Sequence, residues 1–278
     1  MGSILLLDNG SRRAAAVHAL RGLAATLGAR CHQTVTPVSL GHVDHIPAAE
    51  LDGQAAVLLE PLLEARLAAG LREFLILPLL FGRNAALTNT LPALTARLRV
   101  RHGPFTLRLA PELCPLPEGE PRLVELLAEQ LEHCATTAGR TPRRVILVDH
   151  GSPRPQVSAV RAWLATRLNE RLGATVQLEQ AVMERRPEAS YDFNGALLET
   201  QLEQLAATGR DTPIFLVMLF LAPGRHAGPG GDIATICARA EQAHPGLRIH
   251  TTDLVGTHPL LIDILATRLQ QRTRHRAL

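Results

Sequence analysis

The sequence predicts an α/β protein built as two similar lobes, each a four-stranded parallel sheet flanked by helices, with a cleft between them. Two patterns lead there. Short apolar runs rich in Leu, Ile and Val alternate with longer Ala- and Leu-rich segments of helical spacing, as parallel βαβ units with right-handed crossovers require. The alternation then repeats. Ile4-Leu5-Leu6-Leu7-Asp8-Asn9-Gly10-Ser11 has the layout of Val145-Ile146-Leu147-Val148-Asp149-His150-Gly151-Ser152, at an offset of 141. Phe74 to Asn84 matches Phe215 to His226, with one extra residue in the later stretch, and Pro121 to Ala128 answers Pro259 to Ala266. Three collinear matches predict a tandem duplication.

Taken in order, the apolar run at 4–7 is the first strand and an Ala/Leu-rich helix follows to about Leu27. A strand near 33–40 leads through a polar loop with His42 and His45 into a helix from about Ala48 to Ala69, closed by Gly70. A strand at 74–81, a helix near 89–101, a strand near 105–110 and a helix at 121–134 complete the first lobe, 1–134. Residues 135–143 are small, polar and breaker-rich, and read as a linker. The second lobe, 144–278, repeats the order with helices near 155–172, 192–208, 229–243 and 258–272. Two of its strands, at 145–148 and 214–221, are continuous apolar runs, the pattern of strands buried on both faces.

Aromatic residues make up only 3% of the 278, so the core is aliphatic. That scarcity argues against a single-stranded nucleic-acid platform, which stacks bases on aromatic rings. The formal charge is +3 and the positive charge is arginine, the better residue for forked recognition of carboxylates. An anionic small ligand therefore fits better than a nucleic acid. Cys31, Cys114, Cys134 and Cys237 lie far apart without a Cys-x-x-Cys pair, as expected of free thiols in a reducing compartment. No apolar run approaches the roughly 18 residues of a membrane span, and no basic or cleavable apolar segment follows Met1. The expectation is a cytoplasmic monomer or homodimer.

The chemistry concentrates where two apolar strands end. One runs into His150-Gly151-Ser152, the other into Pro223-Gly224-Arg225-His226. Ligands of open parallel sheets bind beyond the carboxyl ends of the strands. The first lobe keeps the glycines but has Asn9 and Asn84 in place of both imidazoles. Asparagine is a poor ligand for borderline metals and no base near neutral pH, whereas imidazole serves as both. One working site and one retired site are expected. Glu184 ends a third largely apolar stretch and would add a carboxylate for metal binding or proton transfer, with its first-lobe counterpart near His45. Arg154, Arg185, Arg186 and Arg225 flank these strand ends and would receive carboxylates. The loop Gly228-Pro229-Gly230-Gly231 lacks the Gly-Lys-Ser/Thr of a P-loop.

These residues resemble the class II tetrapyrrole chelatases, the sirohydrochlorin cobaltochelatases and ferrochelatases. The resemblance rests on the strand into His-Gly-Ser, the central Met183-Glu184, the Pro-Gly-Arg-His segment and the closing helix from Pro259. It implies insertion of Co²⁺ or Fe²⁺, or Ni²⁺ as in some relatives, into an acidic tetrapyrrole without ATP. No tightly bound cofactor is implied, since the ion is a substrate. His150 and His226 would bind the ion and accept protons with Glu184 assisting, and Ser152 with the four arginines would hold the tetrapyrrole. Long members usually carry the histidine pair in their N-terminal half; here it lies in the C-terminal half. The rival expectation is a non-catalytic carrier of metal or tetrapyrrole that keeps the site and has lost turnover.

Overall fold

The computed structural model describes residues 2–208 and 212–278. The chain divides into two units, Met1–Pro117 with Ile262–Leu278, and Glu118–Leu261.

In the first unit β1 (Ser3–Asp8), β2 (Val35–Ser39), β3 (Glu73–Pro78) and β4 (Thr106–Leu109) are parallel in the order β2-β1-β3-β4. Between them run α1 (Ala14–Cys31), α2 (Leu59–Ala68) and α3 (Leu91–His102). Leu5, Leu6 and Leu7 have no accessible surface, because helices cover both faces of β1. Leu5 and Leu7 pack with Leu63, Ile76, Leu87 and Leu107 in the main core of this unit.

The second unit has α4 (Pro121–Ala138), β5 (Arg144–Asp149), α5 (Pro155–Leu172), β6 (Gln177–Val182), α6 (Leu198–Thr208), β7 (Ile214–Met218), α7 (Asp232–Ala243) and β8 (Ile249–Thr251). Its sheet is parallel throughout, in the order β6-β5-β7-β8. Ile146, Val148, Leu202, Leu216 and Ile236 lie in its core. After β5 the chain adds β6 on one side and then crosses to place β7 on the other. The carboxyl ends of β5 and β7 therefore sit side by side at the topological switch point, where an open α/β sheet leaves a crevice.

Three expectations are revised. The helix expected over 48–69 is a 3-10 turn at Ala48–Leu51 followed by α2. Asp52, left-handed at φ 56, and Gly53 at φ 77 break the path between them. Arg276–Ala277, unanticipated, forms β9 (Arg276–Ala277), which pairs antiparallel with β4 and gives the first sheet a fifth strand.

The third concerns the last helix of each half. α4 groups with the second unit, where it packs on α5, β7 and β8, and the stretch from Ile262 groups with the first. α8 (Pro259–Gln270) carries the buried Arg268, whose guanidinium donates to the carbonyls of Glu112 and Leu113. The units are thus not the contiguous blocks 1–134 and 144–278, since apolar faces and buried polar groups choose a helix's neighbours regardless of chain order. α4 also runs four residues into the expected linker, to the left-handed Gly139 that caps it. No helix among the described residues is long and apolar enough to cross a membrane.

Candidate metal and proton-transfer site

β5 ends at Asp149, so His150 is the first residue beyond the sheet. Gly151 follows at φ +89, and a Cβ there would collide with the carbonyl oxygen of Glu184. Only glycine lets the two strand ends approach so closely. The backbone locks the approach, because Met183 N–H donates to Asp149 O at 2.9 Å and Glu184 N–H to His150 O at 3.1 Å. The sheet thereby brings Glu184 Oε1 to 3.3 Å from His150 Nε2.

His226 arrives from the loop after β7. Its ring centroid is 4.5 Å from that of His150, with the planes 73° apart. His150 Nδ1 lies 3.0 Å from Gly151 O, and His226 Nδ1 lies 2.7 Å from Asp232 Oδ2. A carbonyl and a carboxylate only accept, so each Nδ1 donates and each Nε2 carries the lone pair when the ring is neutral. At His150 that lone pair faces the Glu184 carboxylate. Two acceptors at this distance call for a proton or a cation between them. Among the described residues, however, no three His, Cys, Asp or Glu side chains are arranged to hold an ion together. The expected ligand set His150, His226 and Glu184 is therefore an imidazole pair with a carboxylate beside one ring, and not a finished cage.

Cys31, Cys134 and Cys237 are poor alternative ligands. Burial pushes the thiols of Cys31, Cys134 and Cys237 up, the last to about 12. They stay protonated at neutral pH, and the thiolate is the form that binds metal.

A buried polar network supports the His150 turn, and the sequence alone assigned no role to its members Asp149, Arg161 and Asn194. Asp149 Oδ1 accepts from Gly151 N–H at 3.0 Å and from Arg161 Nη1 at 2.5 Å. Arg161, 3% exposed, also donates to Asn194 O and reaches Gln180 Oε1 at 3.3 Å. Burial pushes the Asp149 carboxyl up, while the Arg161 guanidinium, then the Gly151 N–H and His150, pull it back. Asn194 clamps Ser152 from both sides: its Oδ1 accepts from Ser152 N–H and its Nδ2 donates to Ser152 O, both at 2.9 Å. A signal was present, since Arg161 occupies a position on the buried stripe of α5 with Leu164, Ala165 and Leu168.

The expected tetrapyrrole contacts are placed unevenly. Ser152 Oγ accepts from Arg154 N–H at the start of α5, just as Ser11 Oγ accepts from Arg13 N–H before α1, so this hydroxyl has a turn-forming role in both units. Arg185 pairs with Asp192 at 2.8 Å. Arg186 donates to Tyr191 Oη at 2.8 Å and lies over that ring. Arg225, 79% exposed, reaches Asp232 at 3.6 Å. Arg154 is half-buried and has no side-chain partner among the described residues. The four arginines are not one uncommitted cluster, because two of them are tied to the 189–194 turn.

In the first unit Asn84 Nδ2 is 3.5 Å from Asn9 Oδ1, so the asparagine pair meets as the imidazoles do. The strand registers correct two sequence alignments. Ser3 pairs with Phe74 and Arg144 with Ile214, which makes Phe74 equivalent to Ile214 and the loop to His226 two residues longer than the loop to Asn84. Matching Phe74 to Phe215 had slipped the strand by one position. Likewise Leu40 N–H donates to Asp8 O as Met183 N–H does to Asp149 O. The counterpart of Glu184 is therefore Gly41, and His45 lies beyond it.

Residues 144–272 match the CbiX family model. No curated protein matches the chain. Among solved structures, SirB from Bacillus subtilis with Fe³⁺ aligns with a TM-score of 0.71 at 17% identity, over 98% of this chain and 95% of that one. The sirohydrochlorin chelatase SirB from Bacillus subtilis subspecies spizizenii in complex with cobalt aligns at 0.67 and 17% identity, with the same coverage. CbiX, described as the terminal enzyme of siroheme biosynthesis in denitrifying bacteria, aligns at 0.59 and 18% identity, over 96% of this chain and 98% of that one. At such identities the structural likeness is one of fold. The family match covers the segment that carries His150, Glu184 and His226 on that fold.

Proposed function

We propose that the chain inserts a divalent metal ion, Co²⁺ or Fe²⁺ with Ni²⁺ admitted, into an acidic tetrapyrrole such as sirohydrochlorin, as an ATP-independent lyase forming nitrogen–metal bonds. The observation that carries this reading is the pair of imidazoles with centroids 4.5 Å apart at adjacent strand ends, with a carboxylate 3.3 Å from one of them. Its support from relatives is that one SirB structure holds Fe³⁺ and that another, a sirohydrochlorin chelatase, holds cobalt.

Insertion exchanges two pyrrole N–H bonds for bonds to the metal and releases two protons, with no change in oxidation state. Neutral imidazole suits a borderline divalent ion. The two Nε2 lone pairs would take the incoming ion, and Glu184 beside His150 Nε2 would help carry protons away. A pair of imidazoles binds an ion less firmly than a closed cage, which suits a metal that must leave for the macrocycle. Arg154 and Arg225 would meet substrate carboxylates, with Arg185 and Arg186 doing so from the 189–194 turn. The asparagine pair of the first unit is the retired copy of an internal duplication, and the reading places the work in a reducing cytoplasm.

The test is anaerobic turnover of sirohydrochlorin by the purified chain with Co²⁺, Fe²⁺ and Ni²⁺ in parallel. Multiple turnover with at least one ion is expected. A stoichiometric complex without turnover would make the protein a carrier.

A further inference from the structure

His226 is held from α7 by both its backbone and its ring. Its carbonyl accepts from Ile233 N–H at 3.1 Å, and its Nδ1 lies 2.7 Å from Asp232 Oδ2. Asp232 is the first residue of α7, and its own N–H is fixed on Arg225 O at 3.1 Å. The ring is 27% exposed and the carboxylate 45%, so solvent alone does not decide the ring's orientation. A carboxylate at a helix start already has a bland role, because it complements the helix dipole. Two observations go further. The carboxylate takes Nδ1 of a ring whose centroid lies 4.5 Å from that of His150, which leaves Nε2 as the nitrogen outside that contact. The six residues after Asn84 in the first unit contain no acid, so the carboxylate accompanies the imidazole and is missing where the imidazole is missing.

We propose that Asp232 is the positioning residue for His226: it holds the ring as the Nδ1–H tautomer and turns Nε2, unprotonated, toward His150. A histidine that binds metal through one nitrogen needs the other anchored to an acceptor, which fixes tautomer and ring angle together. This rests on the chelatase reading for its purpose but not for its geometry. The inference concerns which nitrogen carries the proton in the neutral ring, and a spectrum reports that directly.

The test is ¹⁵N NMR of the histidine rings in the full chain at a pH where His226 is neutral, combined with Co²⁺ titration. Wild-type His226 is expected to carry its proton on Nδ1. In Asp232→Ala the ring should move toward the Nε2–H form, and Co²⁺ affinity should fall about 10–100-fold. Asp232→Asn keeps an oxygen acceptor and should retain the tautomer with a smaller loss of affinity. A wild-type ring protonated on Nε2 would overturn the proposal. So would an Asp232→Ala protein that melts earlier but keeps both tautomer and affinity, since that is a helix-start effect alone. If the alanine variant does not fold, the wild-type spectrum and Asp232→Asn decide. Failure of the chain to turn over tetrapyrrole would remove the chelatase reading and leave the tautomer result standing.

Discussion

The carboxyl ends of β1 and β3 and those of β5 and β7 share strand pairing and a glycine turn but bear different side chains, on loops that differ by two residues after β3 and β7. Both have a glycine of positive φ whose missing Cβ admits a neighbouring carbonyl, and both have a serine whose hydroxyl accepts from the N–H of the arginine just before the next helix. Beyond that they part. The second has imidazoles where the first has amides, and Glu184 where the first has Gly41. The difference extends below the surface. Arg161 in α5 sits under the second site on Asp149, whereas the corresponding buried residue of α1 is Leu20. Asp8, the counterpart of Asp149, therefore lacks a guanidinium. Its Oδ1 has no hydrogen-bond partner, and burial pushes its carboxyl up against the weaker pull of Ser39 and the Gly10 N–H. The lesson is that the second strand end differs from the first as an assembly, with reacting groups, the carboxylate beside them and a buried charge beneath them present together.

The largest expected effect would break the comparison. His150→Ala or His226→Ala should lower turnover by about 10²–10⁴-fold, the scale of a lost general base, while Asn9→Ala and Asn84→Ala cost far less. Initial rates of metal insertion with folded variants decide it. If the asparagine variants lose activity and the histidine variants keep it, the working site is the other one.

Arg161→Leu installs the first unit's residue in the second. It leaves Asp149 buried without its cation, and breaking a buried pair typically costs about 3–5 kcal/mol. Urea unfolding or amide exchange of β5 should register the loss. Stability equal to wild type would mean that Asp149 tolerates the arrangement found at Asp8.

Arg225→Ala should weaken tetrapyrrole binding modestly, and added salt should weaken the wild type in the same direction, since Arg225 is largely exposed. Absorbance titrations at two salt concentrations check this. Insensitivity to both changes removes the carboxylate role of that arginine.

The smallest effect sharpens the comparison from the first unit. Because the Asp8 carboxyl titrates above its unfolded range, the native state binds that proton more tightly than the unfolded chain. The penalty is absent at low pH, appears as pH rises from the unfolded to the folded pKa, and persists above it. Asp8→Asn should therefore raise the melting temperature slightly at neutral pH, with the gain disappearing once pH falls below the ordinary aspartate range. A gain that does not depend on pH would point to packing.

Strand identity, the end of β5 and the imidazole-for-amide difference were legible in the sequence, because a strand covered on both faces is a continuous apolar run; β3 and β7 stop at Pro78 and Met218, inside their apolar runs. Helix α5 was legible to the residue, since Pro155 and Gly173 bound it. What could not be read was anything set by partners distant in the chain. The counterpart of Glu184 was misplaced because helix counting carries no register, whereas one backbone hydrogen bond from Leu40 to Asp8 fixes Gly41. Arg161 received no role from the sequence, because Asp149 and Asn194, 12 and 33 residues away, close around it only in the fold. Asp232 went unremarked in the sequence, because only the folded loop brings His226 onto it. The membership of α4 and α8 was likewise settled by which apolar faces meet. The sequence by itself determined the βαβ alternation and which strand ends bear imidazoles, because hydrophobic period and residue type are local properties. Only the tertiary structure decided what stands behind each imidazole, because a buried charge or a ring tautomer is fixed by groups that the chain brings together from far apart.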